Sequence, residues 1–430
     1  MQKHRFRKYL RVALAALCGV IVLSPPARQL AVSPGEINLP LGQGTVVPIG
    51  LPVKTEATCS NRQVVNILPI RSRDLPAISV TSTAVGDTTV RTRLFGVVPW
   101  KTVHVHVVPQ EMVYVGGQSI GVNLHAKGVI VVGFQSVNGQ RSPAAAAHVQ
   151  VGDVIESVNH IQLQDTSQLQ SLVQSTESPL QLTIRRGDEH QIVLVHPVRD
   201  SLGTVHLGLF VRDTTAGVGT LTFYEPTHHR FGALGHMITD VDTGQPIVGT
   251  GSVYEAEVTG MVKGLAGKPG EKRGRFDSHT APIGHIDENT PFGVFGTMDA
   301  LPRFAYANRE YPVALPEQVR DGPAELLTVL NGHTVQAFHV NIEVTQDQTQ
   351  PETKSMVIHV TDPRLLQQAG GIVQGMSGSP LIQDGKLIGA VTHVFVSDPT
   401  RGYGVYAEWM LHEAEHETEE ETHAVSNFVG

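Results

Sequence analysis

The clearest candidate for chemistry is a serine that lies among glycines. Residues 370–380 read Gly-Gly-Ile-Val-Gln-Gly-Met-Ser-Gly-Ser-Pro. Glycines adopt positive φ angles and let backbone N–H groups approach a ligand closely. The pattern predicts that Ser377 is a nucleophile and that the N–H groups of Gly375 and Ser377 bind a developing oxyanion. An ordinary β-turn between two strands is the alternative interpretation.

A serine nucleophile needs a base, and His236 is the first candidate. It follows an apolar segment at residues 230–235 and precedes a turn at residues 240–244. Because an imidazole titrates near neutral pH, a histidine is suited to take the proton of a serine hydroxyl. His285 is the second candidate. Without a serine nucleophile in the same domain, a structural core histidine would be the preferred interpretation of His236.

The acid that would orient the imidazole is less well defined. Asp362 precedes Pro363 and a short segment that ends at Gly370. This arrangement is typical of a helix with an aspartate N-cap, proline at its first position and glycine just past its end. Asp362 is therefore either a helix cap or the orienting acid. Asp240 and Asp242 are the alternatives, because they follow the candidate base closely.

The composition indicates a globular, mostly β protein. The 430 residues include 43 glycines and 26 prolines, and hydrophobic residues make up 40% and charged residues 17%. Long helical patterns are rare, while short alternating segments bounded by turn residues recur, which favours strands. A chain of this length has room for two or three domains. The formal net charge of −8 argues against nucleic acid as a partner.

The N-terminus has the pattern of an export signal. Five basic residues come before an apolar run at residues 12–23, which Ser-Pro-Pro ends at residues 24–26. The run is short for a bilayer span, and the order fits a signal peptide or an uncleaved signal anchor at residues 1–27. Membrane association through this segment is expected before processing. Cys18 lies within it, which leaves Cys59 alone in the processed chain and excludes an intrachain disulfide.

Three regions have no predicted chemistry of their own. Residues 28–110 form a β-rich region in which His104 and His106 share one face of a strand, where a solvated polar face is favoured over a metal site. Residues 260–325 are rich in glycine, proline and basic residues and predict a long loop, without the Gly-Lys-Ser/Thr ending of a phosphate-binding loop. Residues 413–430 form an acidic tail. No metal and no cofactor are expected.

Residues 111–198 resemble a PDZ domain. The most specific part runs from Ser-Pro-Ala at residues 142–144 to Val-Gly-Asp-Val-Ile at residues 151–155 and Val-Asn at residues 158–159. In such domains a peptide adds to a sheet edge as an extra strand, and N–H groups of a glycine-rich loop capture its terminal carboxylate. A PDZ-like scaffold that binds nothing is the alternative. The resemblance places the peptide-binding loop, by position, at Gln118, Ser119, Ile120, Gly121 and Val122.

The chain as a whole resembles the stage IV sporulation protein B (SpoIVB) peptidases. The resemblance implies that a trypsin-like double β-barrel serine peptidase domain at residues 199–412 follows the PDZ domain. It also implies a catalytic triad of His236, Asp362 and Ser377. Trypsin-like chains place the acid much earlier than the serine, so either the topology or the role of the acid differs here. The segments that carry the resemblance are residues 235–240, 361–363, 370–380, 389–395 and 402–406.

The resemblance further implies a pathway. Proteins of this family are exported from the developing spore into the space between its two membranes, where they cleave themselves near the N-terminus. They then cleave a membrane-bound regulator of an intramembrane protease that activates a late sigma factor, and peptide binding by the PDZ domain guides these cleavages. A non-catalytic PDZ adaptor with a degenerate peptidase domain is the alternative. A quality-control protease of the HtrA type fits less well, because there the PDZ domain follows the peptidase.

Overall fold

The computed structural model describes residues 35–49, 53–72, 75–176, 178–301, 303, 306–344 and 350–415. The predicted signal segment at residues 1–27 lies outside these residues, as does most of the predicted acidic tail. None of the described helices has the length and apolar character that crossing a bilayer requires. The chain divides into two compact units between Glu111 and Met112.

The described part of the first unit contains seven strands in two sheets. The strands are β1 (Glu36–Pro40), β2 (Gly44–Pro48), β3 (Thr55–Cys59), β4 (Val65–Ser72), β5 (Leu75–Ser82), β6 (Gly86–Leu94) and β7 (Val98–Val108). One sheet has the order β1-β7-β6-β3 and the other β2-β5-β4. Val103 and Val105 of β7 are buried in the core, while His106, on the other face, lies 2.7 Å from Asp87 and 2.9 Å from Glu36. Alternate residues therefore face core and solvent.

The second unit contains the other described strands and helices. The strands are β8 (Met112–Val115), β9 (Ser119–Phe134), β10 (Val154–Val158), β11 (Ile161–Gln162), β12 (Leu180–Arg186), β13 (Glu189–Val195), β14 (Val198–Arg199), β15 (Val205–His206), β16 (Leu209–Glu225), β17 (Arg230–Ala233), β18 (Gly249–Glu255), β19 (Glu257–Val262), β20 (Glu271–Arg275), β21 (Gly284–Thr290), β22 (Gly293–Thr297), β23 (Glu310–Pro312), β24 (Gly322–Val329), β25 (Val335–Val344), β26 (Met356–Val360), β27 (Pro380–Gln383), β28 (Lys386–Phe395) and β29 (Asp398–Tyr406). The helices are α1 (Pro143–Ala146), α2 (Thr166–Gln174), α3 (Pro363–Ala369), a 3-10 turn at Pro316–Gln318 and a helical segment at residues 407–415.

The prediction of a long loop at residues 260–325 is wrong. Strands β20, β21, β22 and β23 all lie within this segment. The frequent glycines and prolines end each strand after a few residues, so that no stretch is long enough to show a clear two-residue period.

Six strands of the second unit close into a first barrel. Their order is β9-β18-β21-β22-β17-β16, and β16 pairs with β9 to close the ring. β9 and β16 are long strands of 16 and 17 residues. In the first half of β9 the alternate residues Ile120, Val122 and Leu124 belong to the barrel core, as the two-residue period of a strand requires.

A PDZ-like unit is inserted into this barrel. The C-terminal half of β9 and the N-terminal half of β16 continue beyond the barrel, and Phe134 pairs there with Leu209. The chain between these two residues forms α1, α2 and strands β10 to β15, and α2 packs through Leu169 and Val173 on the core of this unit. The predicted order of a PDZ domain at 111–198 and a peptidase domain from residue 199 is therefore corrected, because β9 of the first barrel precedes the PDZ unit in the chain.

Six later strands close into a second barrel in the order β24-β25-β26-β29-β28-β27. Its core includes the fully buried rings of Phe338 and Tyr406. Asp384 and Gly385 connect β27 to β28 with φ angles of 51° and 76°, and two successive positive φ angles are those of a type I′ hairpin turn. The two closed barrels confirm the predicted mostly β fold with a double-barrel domain.

Candidate active site

Ser377 lies on a tight loop between α3 and β27. Gly375 and Gly378 have φ angles of 90° and 87°, which residues with a side chain rarely adopt. A Cβ atom on Gly378 would lie 2.2 Å from the carbonyl oxygen of Thr220, so only glycine fits. Ser377 is half-buried, and its Oγ donates to the carbonyl oxygen of Thr392 at 3.0 Å. The glycine pattern thus corresponds to a rigid loop that presents one accessible hydroxyl.

His236 follows a second tight turn, at the end of β17. Leu234 and Gly235 form this turn with φ angles of 67° and 68°. Nδ1 of His236 lies 2.8 Å from the carbonyl oxygen of Met237. Because a carbonyl oxygen only accepts, Nδ1 carries the proton and Nε2 is left as the proton acceptor. Burial lowers the pKa of His236, against a smaller opposing effect of the Met237 carbonyl, so the imidazole is neutral at pH 7, as a base must be.

The two loops meet where the barrels touch. The N–H of Thr220, in the first barrel, donates to the carbonyl oxygen of Ser377 at 3.0 Å. The ring of His236 lies on that of His393, with centroids 4.8 Å apart and planes 37° apart. His393 follows Thr392, the residue that accepts the Ser377 hydrogen bond. The structure therefore brings Ser377 and His236 into one neighbourhood, although no hydrogen bond joins them in the described part of the chain.

Asp362 has other partners. Its carboxylate accepts from the N–H of Arg364 at 2.8 Å and from the N–H of His339 at 3.2 Å. The guanidinium of Arg364 adds bonds at 3.1 and 2.8 Å and holds the pKa of Asp362 well below its usual range. Asp362 is the N-cap of α3. Its implied role as the acid that orients His236 is corrected, because the Met237 carbonyl holds the imidazole instead.

The alternative residues are not partners of His236 either. Asp240 accepts from Arg212 at 2.7 Å and from the hydroxyl of Thr243 at 2.9 Å. Asp242 pairs with the same arginine at 2.6 Å. His285 is exposed on β21. Within the described residues, none of the three forms a hydrogen bond with the candidate base.

The two predicted oxyanion donors have no hydrogen-bond acceptor among the described residues, and neighbouring carbonyl bonds fix their direction. The N–H groups of Gly375 and Ser377 donate to no acceptor among the described residues. The carbonyl group that shares a peptide plane with the Gly375 N–H belongs to Gln374 and accepts from the N–H of Lys272 at 2.8 Å. The carbonyl group of Met376, in the plane of the Ser377 N–H, accepts a backbone bond at 2.9 Å. Because a trans peptide is planar with N–H and C=O opposed, each carbonyl bond fixes the direction of a donor.

The PDZ unit has a groove between α2 and residues 204–211. It is a cavity of about 280 Å³. Gly208, which lines it, has a φ angle of 70°, and the N–H groups of Leu207 and Gly208 donate to no acceptor among the described residues. Unengaged N–H groups beside a partly apolar groove suit the terminal carboxylate of a peptide. The apolar lining includes Leu169, Val173, Val205, Leu207 and Leu209.

The peptide-binding loop predicted at Gln118–Val122 is therefore corrected. These residues are buried in the first barrel, where Val122 pairs with Gly217 and Val253. The unengaged N–H groups beside the groove lie instead within residues 206–210, which read His-Leu-Gly-Leu-Phe. The run Leu-Gly-Leu-Phe was the available sequence signal, and it lies after α2 rather than before α1.

Comparisons with known proteins match two parts of the chain. A family model for SpoIVB peptidase S55 matches residues 203–411, and a PDZ domain model matches residues 137–186. Among solved structures, the chain is similar to the PDZ domain of an SdrC-like protein from Listeria monocytogenes, with 20% identity over 20% of this chain and 87% of that one, and a TM-score of 0.18. A search of the curated proteins found no match.

Proposed function

Because a family model for SpoIVB peptidase S55 matches residues 203–411, we propose that this chain is a self-cleaving serine endopeptidase of spore formation. It is exported from the forespore into the space between the two spore membranes and is held at the membrane by residues 1–27 until it is processed. There it cleaves a membrane-bound regulator and so triggers the intramembrane proteolysis that activates a late sigma factor. Export follows from the basic, apolar and helix-breaking order of the N-terminal residues.

The observation that carries the proposal is the meeting of Ser377, His236 and two unengaged N–H groups at the junction of two barrels. To react, Ser377 exchanges its bond to Thr392 for one to Nε2 of His236. Its Oγ then attacks the peptide carbonyl carbon while Nε2 takes the hydroxyl proton, and the carbonyl electrons move to the oxygen. The N–H groups of Gly375 and Ser377 stabilise that oxyanion.

The second half of the reaction returns the proton. As the tetrahedral intermediate collapses, the C–N bond breaks and His236 donates its proton to the leaving amine. Water then attacks the acyl ester with His236 again as base, and the Ser377 hydroxyl is regenerated. Throughout, the Met237 carbonyl accepts a hydrogen bond from Nδ1 of His236, which keeps Nε2 available for each proton transfer. The proposed reaction uses no cofactor.

The groove beside α2 supports a role for the PDZ unit in choosing what is cut. Its N–H groups at Leu207 and Gly208 suit a free carboxylate, and its apolar lining suits the last side chains of a peptide. We assign it to the capture of a peptide from the regulator or from a second copy of this chain. The adaptor alternative requires the same groove but no reaction at Ser377.

Self-cleavage is tested by mass spectrometry of purified protein that lacks residues 1–27. Wild-type protein is expected to lose N-terminal residues on incubation, while Ser377→Ala stays intact because the nucleophile is absent. Ser379→Ala is the matched control. The Ser379 side chain is fully buried and its Oγ has no hydrogen-bond partner among the described residues, so this variant is expected to trim like wild type.

Two outcomes would contradict the proposal. Equal trimming of all three proteins would identify a contaminating protease. Intact wild-type protein that also fails to cleave a labelled protein substrate would favour the adaptor.

A further inference from the structure

Lys272 is a buried amine to which the reaction above assigns no role. The residue is 3% exposed, and its Nζ donates to Thr328 Oγ1 at 2.9 Å, Ser119 Oγ at 3.3 Å and Thr220 Oγ1 at 3.4 Å. These hydroxyls lie on β24, β9 and β16, so one amine joins strands of both barrels. Within the described residues no carboxylate pairs with it. A buried cation without a counter-charge is costly, so its position calls for a specific role.

Lys272 contacts the peptide groups on both sides of Gly375. Its backbone N–H donates to the carbonyl oxygen of Gln374 at 2.8 Å, which orients the Gly375 N–H. Its side chain acts on the next peptide through Thr220, whose Oγ1 donates to the carbonyl oxygen of Gly375 at 2.9 Å. The two residues are so close that a Cβ atom at position 375 would lie 3.0 Å from that of Lys272.

The charge on Lys272 decides the direction of this hydrogen-bond chain. An ammonium group has three protons and no lone pair, so it donates to all three hydroxyls. The Thr220 hydroxyl must then direct its own proton to the carbonyl of Gly375. A neutral amine has a lone pair that competes for the same proton. Loss of the charge therefore weakens the bond that holds the Gly375 carbonyl.

We propose that Lys272 is a positioning residue for the oxyanion-binding loop: its backbone N–H holds the peptide that carries the Gly375 N–H, and its ammonium group fixes the Thr220 hydroxyl as a donor to the Gly375 carbonyl and so holds the next peptide, which keeps the loop in the conformation that directs the Gly375 N–H at the transition state. This inference rests on the proposed peptidase function. Lys272 does not replace His236 as the base, because its three hydroxyl partners do not include Ser377.

The proposal predicts a dependence on pH. Burial lowers the pKa of Lys272 to about 7. The groups that face Nζ from β9, β16 and β24 are hydroxyls, and no charged group among the described residues offsets the burial. The ammonium is therefore present below neutral pH and is lost as the pH rises through that value, and the organisation of the loop weakens with it.

The test measures how fast a fluorophosphonate labels Ser377, because the phosphoryl oxygen of the adduct occupies the oxyanion site and no peptide sequence has to be known. The wild-type rate is expected to fall at high pH as Lys272 loses its proton. Lys272→Met has similar length without charge. It is expected to label about 10–100-fold more slowly at pH 6.5, somewhat less than the loss of a whole oxyanion donor, and to lose the decline at high pH.

Thr220→Val removes the connecting hydroxyl while it keeps the side-chain shape, and the same slow, pH-independent labelling is expected. Lys386→Met is the matched control, since Lys386 Nζ donates to Gln318. Circular dichroism melting identifies the folded variants. If Lys272→Met does not fold, Thr220→Val decides the question.

Two results would overturn the inference. The inference about Lys272 would be overturned, and the proposed function would stand, if a folded Thr220→Val or Lys272→Met variant were labelled at the wild-type rate with the wild-type decline at high pH. Wild-type protein that is not labelled at Ser377 would overturn the proposed function, and this inference with it.

Discussion

Replacing His236 with alanine is expected to lower the rate of peptide cleavage by about 10⁴–10⁶-fold, as for the loss of a catalytic histidine from other serine peptidases. Without Nε2 no group takes the Ser377 proton, and only binding and the oxyanion donors contribute to the remaining rate. The measurement is kcat for hydrolysis of fluorescently labelled casein. Burial lowers the pKa of His236, so the base is neutral above that value and the acid limb of the wild-type profile is expected to have its midpoint below pH 6.5.

His393 provides the matched control for this experiment. Its ring lies on that of His236, but no hydrogen bond joins it to Ser377 in the described part of the chain. His393→Phe keeps a ring in the same place and is expected to retain a rate of the wild-type order. If His393→Phe lost activity while His236→Ala kept it, the base would have been assigned to the wrong histidine.

Replacing Asp362 with alanine is expected to lower the free energy of unfolding by about 2–4 kcal/mol while kcat per folded molecule stays near the wild-type value. The substitution removes the N-cap of α3 and leaves the N–H of His339 without its carboxylate acceptor. The Arg364 pair adds little, because the guanidinium is largely exposed. Urea unfolding measures the loss of stability, and titration of Ser377 with a fluorophosphonate counts the active sites.

Thr361→Ala is the neighbouring control. Its exposed hydroxyl donates to the carbonyl oxygen of His339, and only a small shift of the unfolding transition is expected. The Asp362 contribution also depends on pH. Because its pKa is lowered in the folded chain, the stabilisation is complete above the unfolded-state pKa of about 3.9 and is lost as the pH falls below it. A folded Asp362→Ala variant as inactive as His236→Ala would restore the triad role.

The parts of the fold that depend on local patterns could be predicted from the sequence. Alternation in β6 and β7, the turn at Asp384-Gly385 and the Ser-Pro-Ala start of α1 each have a signal within a few residues. The insertion of the PDZ unit could not be predicted in this way. It depends on the pairing of Val122 with Gly217, and no local pattern identifies strand partners so far apart in the chain.

The residues of the candidate active site also differ in whether a local sequence pattern identifies them. Gly375, Ser377 and Gly378 are predictable, because positive φ angles require glycine at two of the three positions. The Met237 carbonyl as the partner of His236 is not, since every residue has a carbonyl group and only the turn decides where it points. The capping pattern of Asp362 was legible in the sequence, and the structure agrees with that local interpretation rather than with the implied triad.

Lys272 shows what sequence patterns miss most completely. It lies in a segment rich in glycine and basic residues, where a lysine is normally solvated. Its burial is decided by Ser119, Thr220 and Thr328, each on a different strand. No spacing in the sequence connects these four residues.

The inserted PDZ unit also has a consequence for how the chain folds. β9 and β16 must find each other across more than seventy intervening residues, and closing so long a loop costs entropy. The PDZ unit has its own core and joins Phe134 to Leu209, so once it has formed, the far ends of the two strands are already neighbours. We expect β9 and β16 to pair first at Phe134 and Leu209 and then progressively toward the first barrel. PDZ amides are therefore expected to be protected before barrel amides in pulsed hydrogen exchange during refolding. Simultaneous protection of barrel and PDZ amides would contradict this order.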